Sequence, residues 1–527
     1  MAAELFVGID VGTTGCRALA VDAEGVVRAE ATTEYGFAMP RPGWTEQDPE
    51  EWWSGAVRCL RSLVAQVGAG AIRGVGLTGQ MHGSVFLDGR GAVIRPALLW
   101  NDQRTVAQCD AIEARVGSER LYALAGNPAL TGFTAPKLLW VREHEPDAYA
   151  RLAHLLLPKD YVRFRLTGAI ATDVTDASGT LLLDVAGRRW SQEILAALDI
   201  DERILPALYE SADVTGAVSE EAARATGLAA GTPVVAGAGD QAAGAVAAGA
   251  VTPGIAAVAV GTSGVVFLPS EEPVHPRADD VAAPPGLEPE SLKTVHSFCH
   301  AVPGLWHAMG VMLSAGGSLR WLRDALYAAE AAEAARQGAD VYDRITADAA
   351  EVAPGAEGLL FLPYLAGERT PHFDPFVRGS FLGLSLGHRR QHLARAVLEG
   401  IAFGLRDCLD LVRRLAGEPA EVRIMGGGAK SEVWREIIAA VLGVPLRRLG
   451  VDEGPALGAA ILAAVGVGAF ADVRSACQAM VRLGSVTEPP ASWPSLYEAL
   501  LLAYRGAYRQ VAPVFREAPI GPPNEGR

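Results

Sequence analysis

The sequence predicts an α/β protein with two lobes, and three observations lead to this expectation. Its 527 residues are too many for one hydrophobic core, so at least two domains are expected. Apolar strands alternate with helical segments along the chain, which is typical of α/β architecture. A strand, a turn of glycine and threonine, and a second strand occur near the start of each half, at residues 5–21 and 255–268. Such a repeat predicts two lobes that face one ligand.

The turn of the first motif, at residues 11–15, has the composition of a phosphate site. Glycines such as Gly12 let backbone N–H groups converge on an anion, and the hydroxyl groups of Thr13 and Thr14 add donors. Asp10, at the end of the preceding strand, can orient a metal ion or its waters. The set suits a nucleoside triphosphate with Mg²⁺, although a plain hairpin turn uses the same residue types. No Gly-Lys-Ser/Thr follows, so this is not a Walker loop.

Further elements follow from apolar periodicity and from helix-start signals. Asp48, followed by proline and two glutamates, marks the start of a helix. A β-branched run at 72–78 and an apolar run at 233–239 predict strands. The remaining expected elements are helices near 104–116, 136–145, 305–326 and 398–415, a short strand within 355–365, a strand at 421–425, and a helix from Ser431.

Charge and cysteine usage narrow the class of protein. The net charge of −15 disfavours a partner that is nucleic acid or an anionic membrane. Six irregularly spaced cysteines indicate neither a disulfide framework nor a zinc site, and reduced thiols fit a cytoplasmic location. The N-terminus lacks signal-peptide features. Of two uncharged stretches, 242–268 is broken by Pro and Gly, and 455–471 predicts a buried core helix rather than a membrane span.

Asp240 is the strongest candidate for a catalytic residue. It follows the apolar strand at 233–239, and ligands of α/β sheets gather at the carboxyl ends of strands. A kinase needs a carboxylate that accepts the proton of the attacking hydroxyl. Asp10 is the complementary carboxylate, so a metal ion would lie with Asp10 and Asp240. The alternative role of Asp240, as N-cap of the helix that follows, is compatible with catalysis.

Polar and aromatic residues follow other strands in positions suited to a sugar. Met81 and His82 come directly after the strand at 72–78, and Trp100 and Asp102 occupy a similar position. Aromatic rings beside amides and carboxylates are typical of sugar pockets, where C–H faces pack and hydroxyls hydrogen-bond. A lone histidine is more often structural, so these segments alone are weak indicators.

The second half offers its own nucleotide-binding candidates. Gly261, Thr262 and Ser263 form the turn of the second strand–turn–strand motif. Gly427 and Gly428 lie between a strand and a helix, where a glycine backbone can press against a flat ligand or a phosphate, or simply pack closely.

Two long segments resemble the signatures of the FGGY carbohydrate kinases, in the actin–hexokinase–heat-shock ATPase superfamily. Residues 132–144 are similar to the N-terminal signature, and residues 379–399 fit the C-terminal one. Within the family, further segments are similar to those of xylulokinases. They are residues 79–83, 99–102, 157–161, 295–300 and 367–372.

The resemblance implies two ribonuclease-H-like (actin/hexokinase-type) domains with an interdomain active-site cleft. Residues 1–250 would bind the sugar and carry the first phosphate loop, and residues 251–527 would bind ATP and end in a helical tail. Asp240 matches the catalytic aspartate, and Met81 and His82 match the pair that contacts xylulose. The residues that match nucleotide contacts are Asp10, Gly12, Thr13, Thr14, Gly261, Thr262, Ser263, Gly427 and Gly428.

The reaction implied is the ATP- and Mg²⁺-dependent phosphorylation of D-xylulose to D-xylulose 5-phosphate. One departure bears on specificity, because Gln241 stands where many xylulokinases have asparagine, and its extra methylene moves an amide that contacts the sugar. The alternatives are a kinase for ribulose, gluconate or glycerol, a nucleotide-switched actin-like binding protein, and a pseudokinase. Intact Asp10, Asp240 and both turns argue against a pseudokinase, and a homodimer is suggested by family behaviour alone.

Overall fold

The computed structural model describes residues 4–275, 282–451 and 453–517. Two mixed seven-stranded sheets dominate it, one in each half of the chain. The strands, in chain order, are β1 (Leu5–Val11), β2 (Gly15–Val21), β3 (Val27–Glu34), β4 (Glu46–Gln47), β5 (Ile72–Gly79), β6 (Val85–Leu87), β7 (Ala97–Leu98), β8 (His154–Leu156), β9 (Ala171–Asp173), β10 (Leu183–Asp184), β11 (Arg189–Trp190), β12 (Ala207–Tyr209), β13 (Val214–Ala217), β14 (Pro233–Val235), β15 (Ala238–Gly239), β16 (Ile255–Val260), β17 (Gly264–Ser270), β18 (His296–Cys299), β19 (Trp306–Met312), β20 (Leu360–Leu362), β21 (Ser380–Leu382), β22 (Glu421–Met425), β23 (Leu446–Leu449) and β24 (Leu483–Thr487).

Helices cover the faces of these sheets and form the connections between strands. They are α1 (Pro49–Val67), α2 (Val106–Val116), α3 (Ser118–Ala125), α4 (Thr134–His144), α5 (Pro146–Tyr149), α6 (Pro158–Thr167), α7 (Val174–Ser178), α8 (Gln192–Leu198), α9 (Glu220–Thr226), α10 (Asp240–Ala247), α11 (Gly316–Leu326), α12 (Ala328–Gln337), α13 (Val341–Ala350), α14 (Arg390–Ala416), α15 (Glu432–Leu442), α16 (Pro455–Gly466), α17 (Val473–Met480) and α18 (Trp493–Glu517).

The N-terminal sheet has the order β13-β14-β5-β1-β2-β3, and β15 also pairs with β5. β1 and β2 form the predicted antiparallel hairpin, whereas β14, β15 and β1 all run parallel to β5. Helix α1 packs over β2 and β3, and its first turn is capped by the Asp48 carboxylate, which accepts from the N–H of Glu50. The carboxyl ends of β1, β5 and β15 therefore meet at one edge.

The C-terminal sheet has the order β18-β19-β17-β16-β22-β23-β24. Like the N-terminal sheet, it contains an antiparallel hairpin that lies beside a parallel strand. β16 and β17 form the second predicted hairpin, and β22 lies parallel to β16 on its other side. The long helix α14 packs across β17 and β19. Strand pairing between Ala259 and Met425 brings the two glycine-rich turns that follow β16 and β22 to the same edge.

Helix α16, the predicted buried core helix, joins the two halves. It belongs to the C-terminal half in sequence, yet it packs against β1, β5 and α10 of the N-terminal half. A Cβ on Gly8 would lie 1.9 Å from the carbonyl oxygen of Ala456, and one on Gly76 would lie 2.0 Å from that of Ala459. Glycine is required at these positions because the helix backbone rests directly on the strands.

Two predicted elements are wrong in part. Residues 305–326 are not one helix, because Trp306–Met312 form β19, a strand between β17 and β18 that is almost wholly buried, and the helix begins at Gly316. The strand at 233–239 is divided into β14 and β15. Gly237, with φ of 78°, interrupts it where a Cβ would lie 1.9 Å from the carbonyl oxygen of Leu77.

The six cysteines all lie among the described residues, and each is free and buried. Over that part of the chain, no helix combines the length and the apolar character that crossing a membrane requires.

We expect Gly76→Ala to destabilise the protein by about 1–3 kcal/mol, because the new methyl group forces α16 away from β5. Differential scanning calorimetry measures this as a lower Tm. Gly89→Ala is the matched control, since a Cβ there meets no described atom within 4 Å. Equal Tm values for the two variants would show that the close packing of α16 is not a stability constraint.

Candidate active site

Strand register places the two predicted acidic residues on either side of β5. Asp10 pairs with Thr78, and Gly239, the residue before Asp240, pairs with Gly79. With strands about 4.8 Å apart, the two backbones are separated by roughly 10 Å, and both side chains are partly exposed at the same edge. The structure thus brings together two carboxylates that are 230 residues apart in the sequence.

The electrostatics of this edge raise the pKa of both carboxylates. Burial raises the pKa of Asp10 to about 6, and Arg17 opposes the rise. Burial also raises the pKa of Asp240 to about 7, and the negative charge of Asp10 adds to the rise. Two oxygen donors that destabilise each other's charge are a fitting pair for a divalent cation, which would relieve that repulsion.

Asp240 is the first residue of α10, and its side chain does not cap that helix. The N-cap position belongs to Gly239, so the alternative role of Asp240 as N-cap is not observed. The Gln241 side-chain amide instead donates to Asp240 Oδ1 at 3.3 Å. In this geometry Gln241 orients the Asp240 carboxylate.

A buried ionic cluster holds the backbone just before Asp240. Thr175 Oγ1 accepts from the N–H of Gly239 at 2.9 Å and donates to Asp173 Oδ2. Lys159 Nζ lies 2.8 Å from Asp173 Oδ1, with both side chains inaccessible to solvent. Periodicity cannot reveal this support, because Lys159, Asp173 and Thr175 come from three separate elements.

The first glycine–threonine turn has its carbonyl groups held by the protein. The N–H of Gly12 donates to the carbonyl of Gly15 at 2.9 Å, and the hydroxyl of Tyr35 donates to the carbonyl of Gly12 at 2.9 Å. A cavity of about 690 Å³ borders Gly12, Thr14 and Asp10, and the Thr14 side chain is exposed. This leaves a hydroxyl and a glycine surface on the side where an anion can approach.

The carbonyl groups of the second turn, which follows β16, are also held by the protein, here by backbone N–H groups. The carbonyls of Gly261 and Thr262 accept from the N–H groups of Gly316 and Gly317 at 2.8 and 3.0 Å. Gly261 and Thr262 are exposed, and Ser263 is half-buried. The N-terminus of α11 therefore fixes the turn from behind.

Gly427 and Gly428, in the glycine-rich turn after β22, serve different purposes. A Cβ on Gly428 would lie 2.5 Å from Val260 Cγ1, so close packing requires glycine there. Gly427 has open space where its Cβ would be, among the described residues, and lines a cavity of about 650 Å³. Arg17 lines both this cavity and the one at the first turn, and sequence analysis missed it. Gly427 leaves room for a flat ligand, and the Arg17 guanidinium beside it is paired with the carboxylates of Glu30 and Glu453.

His82 adopts a left-handed backbone conformation, with φ of 67°. Such a conformation is rare for a non-glycine residue and persists only where neighbours over-determine it. Thr134 Oγ1 and Lys137 Nζ donate to the His82 carbonyl at 3.1 and 3.0 Å, and His82 Nδ1 lies 2.7 Å from the carbonyl of Gly179. Lys137 was not singled out by sequence analysis.

The imidazole of His82 is neutral. Burial lowers its pKa to about 3, and the positive charges of Lys137 and Arg369 contribute. Because a carbonyl only accepts, Nδ1 carries the hydrogen, which leaves Nε2 as an acceptor. Met81 is buried beside it, close to Gly239. The pair thus presents an apolar surface and one hydrogen-bond acceptor next to Asp240.

Trp100 and Asp102, both predicted to bind substrate, differ in exposure. Trp100 is 36% exposed, and its indole N–H donates to Thr13 Oγ1 at 3.1 Å. Asp102 is fully buried, and its carboxylate accepts from Arg104 and from the N–H of Thr45. In this structure Asp102 fixes the loop that carries Trp100.

The chain was compared with protein families and with known proteins. A model of the N-terminal domain of the FGGY family of carbohydrate kinases matches residues 5–247, and the corresponding C-terminal domain model matches residues 256–467. The xylulose kinase of Escherichia coli is 43% identical over 88% of this chain and 90% of its own length, and that of Bacillus subtilis is 38% identical over 95% and 96%. The crystal structure of xylulose kinase from Rhodospirillum rubrum aligns with a TM-score of 0.85, at 33% identity, over 98% of this chain and all of that one.

We expect the Asp240 carboxyl group to lose its proton with a midpoint near pH 7 in metal-free buffer. Below that pH the group is the neutral acid and above it the carboxylate, so infrared difference spectra against Asp240→Asn should show the acid C=O band fading as pH rises. Asp10→Asn removes a negative charge that disfavours ionisation and should lower the midpoint. The exposed Asp147→Asn should leave it in place, and an unshifted midpoint in Asp10→Asn would contradict the coupling.

Proposed function

Since this chain belongs to the FGGY family of carbohydrate kinases, we propose that it transfers the γ-phosphoryl group of ATP to D-xylulose, giving D-xylulose 5-phosphate and ADP. The names of the curated relatives support this choice of sugar. The observation that carries the proposal is the placement of Asp240 beside Asp10 at one strand edge, with Met81 and His82 adjacent.

Asp240 is the general base of the proposed reaction. Its carboxylate accepts the proton of the terminal sugar hydroxyl as that oxygen bonds to the γ-phosphorus, and the bond from phosphorus to the leaving ADP oxygen breaks. A pKa of about 7 makes this carboxylate a stronger base than an ordinary aspartate while it is still largely ionised slightly above neutrality. The Thr175 contact to Gly239 holds the backbone from which the base projects.

The sugar is held by the N-terminal half, residues 1–250. The neutral His82 offers Nε2 to a sugar hydroxyl, and the Met81 side chain lies against its C–H face. Trp100 supplies a half-exposed ring at the same opening. Gln241 acts on specificity through the orientation it gives to Asp240.

ATP lies between the two halves in this proposal, with most contacts from residues 251–527. The adenosine covers Gly427, and the phosphates lie at the turns around Thr14 and Thr262. Arg17 borders the cavities at the first turn and at Gly427, and its guanidinium is paired with the carboxylates of Glu30 and Glu453. The hydroxyl and backbone N–H groups of the two turns, fixed in advance, stabilise the charge of the transferring group.

Mg²⁺ is the divalent ion proposed here, with Asp10 and Asp240 as the carboxylates that hold it or its waters. When bound, it neutralises charge on the phosphate oxygens. The raised pKa of both carboxylates is the feature of this chain that fits such an ion.

A substrate panel tests the reaction. ADP release with Mg-ATP is compared for D-xylulose, D-ribulose, L-ribulose, glycerol, gluconate and no sugar, and we expect the highest kcat/KM for D-xylulose. A faster reaction with another member of the panel would replace the sugar and keep the kinase. Sugar-independent hydrolysis alone would favour a nucleotide-switched binding protein instead.

We expect Asp240→Asn to lower kcat by about 10²–10⁴-fold, the usual contribution of a general base. Calorimetric titration with an ATP analogue should still show binding, because the phosphate turns and Gly427 are unchanged. Asp147→Asn, a change of the same type at an exposed site, controls for the substitution itself. A kcat within a few-fold of the parent would contradict the role of Asp240.

A further inference from the structure

A continuous chain of hydrogen bonds connects the sugar side of the site to the first phosphate turn. The indole N–H of Trp100 donates to Thr13 Oγ1 at 3.1 Å, and Thr13 Oγ1 lies 3.0 Å from Gln80 Oε1. Trp100 is 36% exposed and is proposed above to contact the sugar, and Gln80 directly precedes Met81. Thr13 is thus contacted from two sides by residues of the sugar-binding half.

Donor and acceptor chemistry fixes the direction of every bond in this chain. An indole N–H only donates, so Thr13 Oγ1 accepts from Trp100. The single hydrogen of the Thr13 hydroxyl then goes to Gln80 Oε1. The orientation of the Gln80 amide is set independently, because its Nε2 lies 3.4 Å from the carbonyl oxygen of Gly12, which only accepts.

The Gln47 side chain also holds the first glycine–threonine turn in place. Its Nε2 donates to the carbonyls of Thr13 and Gly36 at 3.1 and 2.6 Å, and its Oε1 accepts from Trp52 and Gln80 at 2.7 and 3.3 Å. Gln47, Trp52 and Gln80 are nearly or fully buried. Two glutamine amides therefore clamp the carbonyls of Gly12 and Thr13.

This arrangement separates the roles of the two threonines in the turn. A phosphate oxygen only accepts hydrogen bonds, so a Thr13 hydroxyl that donates to Gln80 has no hydrogen left for a phosphate. The Thr14 side chain is exposed and borders the cavity at the turn. Thr14 is therefore the threonine whose hydroxyl is placed to meet a phosphate.

We propose that the Thr13 hydroxyl is a coupling group rather than a phosphate ligand, so that sugar bound at Trp100 and at Met81–His82 stabilises the phosphate turn and raises the affinity for Mg-ATP. Trp100, Thr13 and Gln80 are positioning residues in this role, and the inference rests on the proposed kinase function. Because coupling free energies are reciprocal, bound nucleotide also raises the affinity for sugar.

The test measures that coupling directly by calorimetry. The Kd of Mg²⁺ with β,γ-methylene-ATP is determined on the full chain with and without saturating D-xylulose. We expect the sugar to tighten nucleotide binding by about fivefold or more in the parent protein. In Thr13→Val, which keeps the shape and loses the hydroxyl, the ratio should fall to near one, and Thr13→Ser should restore it.

The variant Thr13→Val also distinguishes the two roles of the hydroxyl. A coupling group affects mainly the gain produced by the sugar, whereas a phosphate ligand weakens nucleotide binding equally with and without sugar. An equal loss in both conditions overturns the proposal, as does a parent protein whose two Kd values are the same.

Trp100→Phe provides a second variant in which an aromatic ring remains, although the indole N–H donor is lost together with part of the ring area. We expect it to reduce the ratio as Thr13→Val does, and a ratio equal to that of the parent overturns the proposal. Trp321→Phe is the matched control, because Trp321 is 38% exposed, packs on Phe361 and lies outside the site.

Failure of the proposed function is separable from failure of the coupling. Turnover of D-xylulose by the parent protein is measured first. If another sugar of the panel is phosphorylated faster, the choice of sugar is wrong, and the same Kd ratios measured with that sugar decide the coupling.

Discussion

The direct contact between helix α16 and strands β1 and β5 is the constraint on which the site depends. Gly8 and Gly76 allow the helix backbone to rest on the strands, and Gly458 lets α10 approach the helix in turn, since a Cβ there would lie 1.9 Å from the carbonyl oxygen of Ala243. Both acidic residues lie at the ends of the elements that this helix contacts. Helix α16, which belongs to the C-terminal half in sequence, therefore packs immediately behind the elements that carry the two carboxylates.

The chain positions Asp240 through its backbone, and the described residues place no lysine or arginine on its carboxylate, which accepts from Gln241. The cluster of Lys159, Asp173 and Thr175 ends on the N–H of Gly239. A lysine or arginine paired with Asp240 would compete for this carboxylate with the proposed divalent ion and with the sugar hydroxyl. By fixing the preceding peptide instead, the fold combines a defined position with a raised pKa. Removing one partner from such a buried cluster leaves an uncompensated charge and destabilises the fold. The intact cluster adds little net stability, so its main effect is to fix the position of Gly239.

The regular elements near the site were predictable because their signals are local. Both hairpins, the helix capped by Asp48 and the long helix α14 follow from periodicity and turn chemistry. The strand Trp306–Met312 was missed because it is buried on both faces and has no alternation to distinguish it from a helix. The interruption at Gly237 depends on the backbone of Leu77, a contact that no local pattern encodes. Arg17, Lys137 and Thr175 were missed for the same reason, since each acts on a residue distant in sequence.

The first and second glycine–threonine turns have similar sequences, but different groups hold their carbonyl oxygens. In the second turn, backbone N–H groups at the start of α11 hold the carbonyls, and a helix terminus is a rigid support. In the first turn, the buried side chains of Gln47, Gln80 and Tyr35 hold the carbonyls of Gly12 and Thr13, and leaving such buried polar groups unpaired is costly. Similar sequences therefore conceal different supports, which are side chains of the N-terminal half in the first turn and the backbone of one helix start in the second.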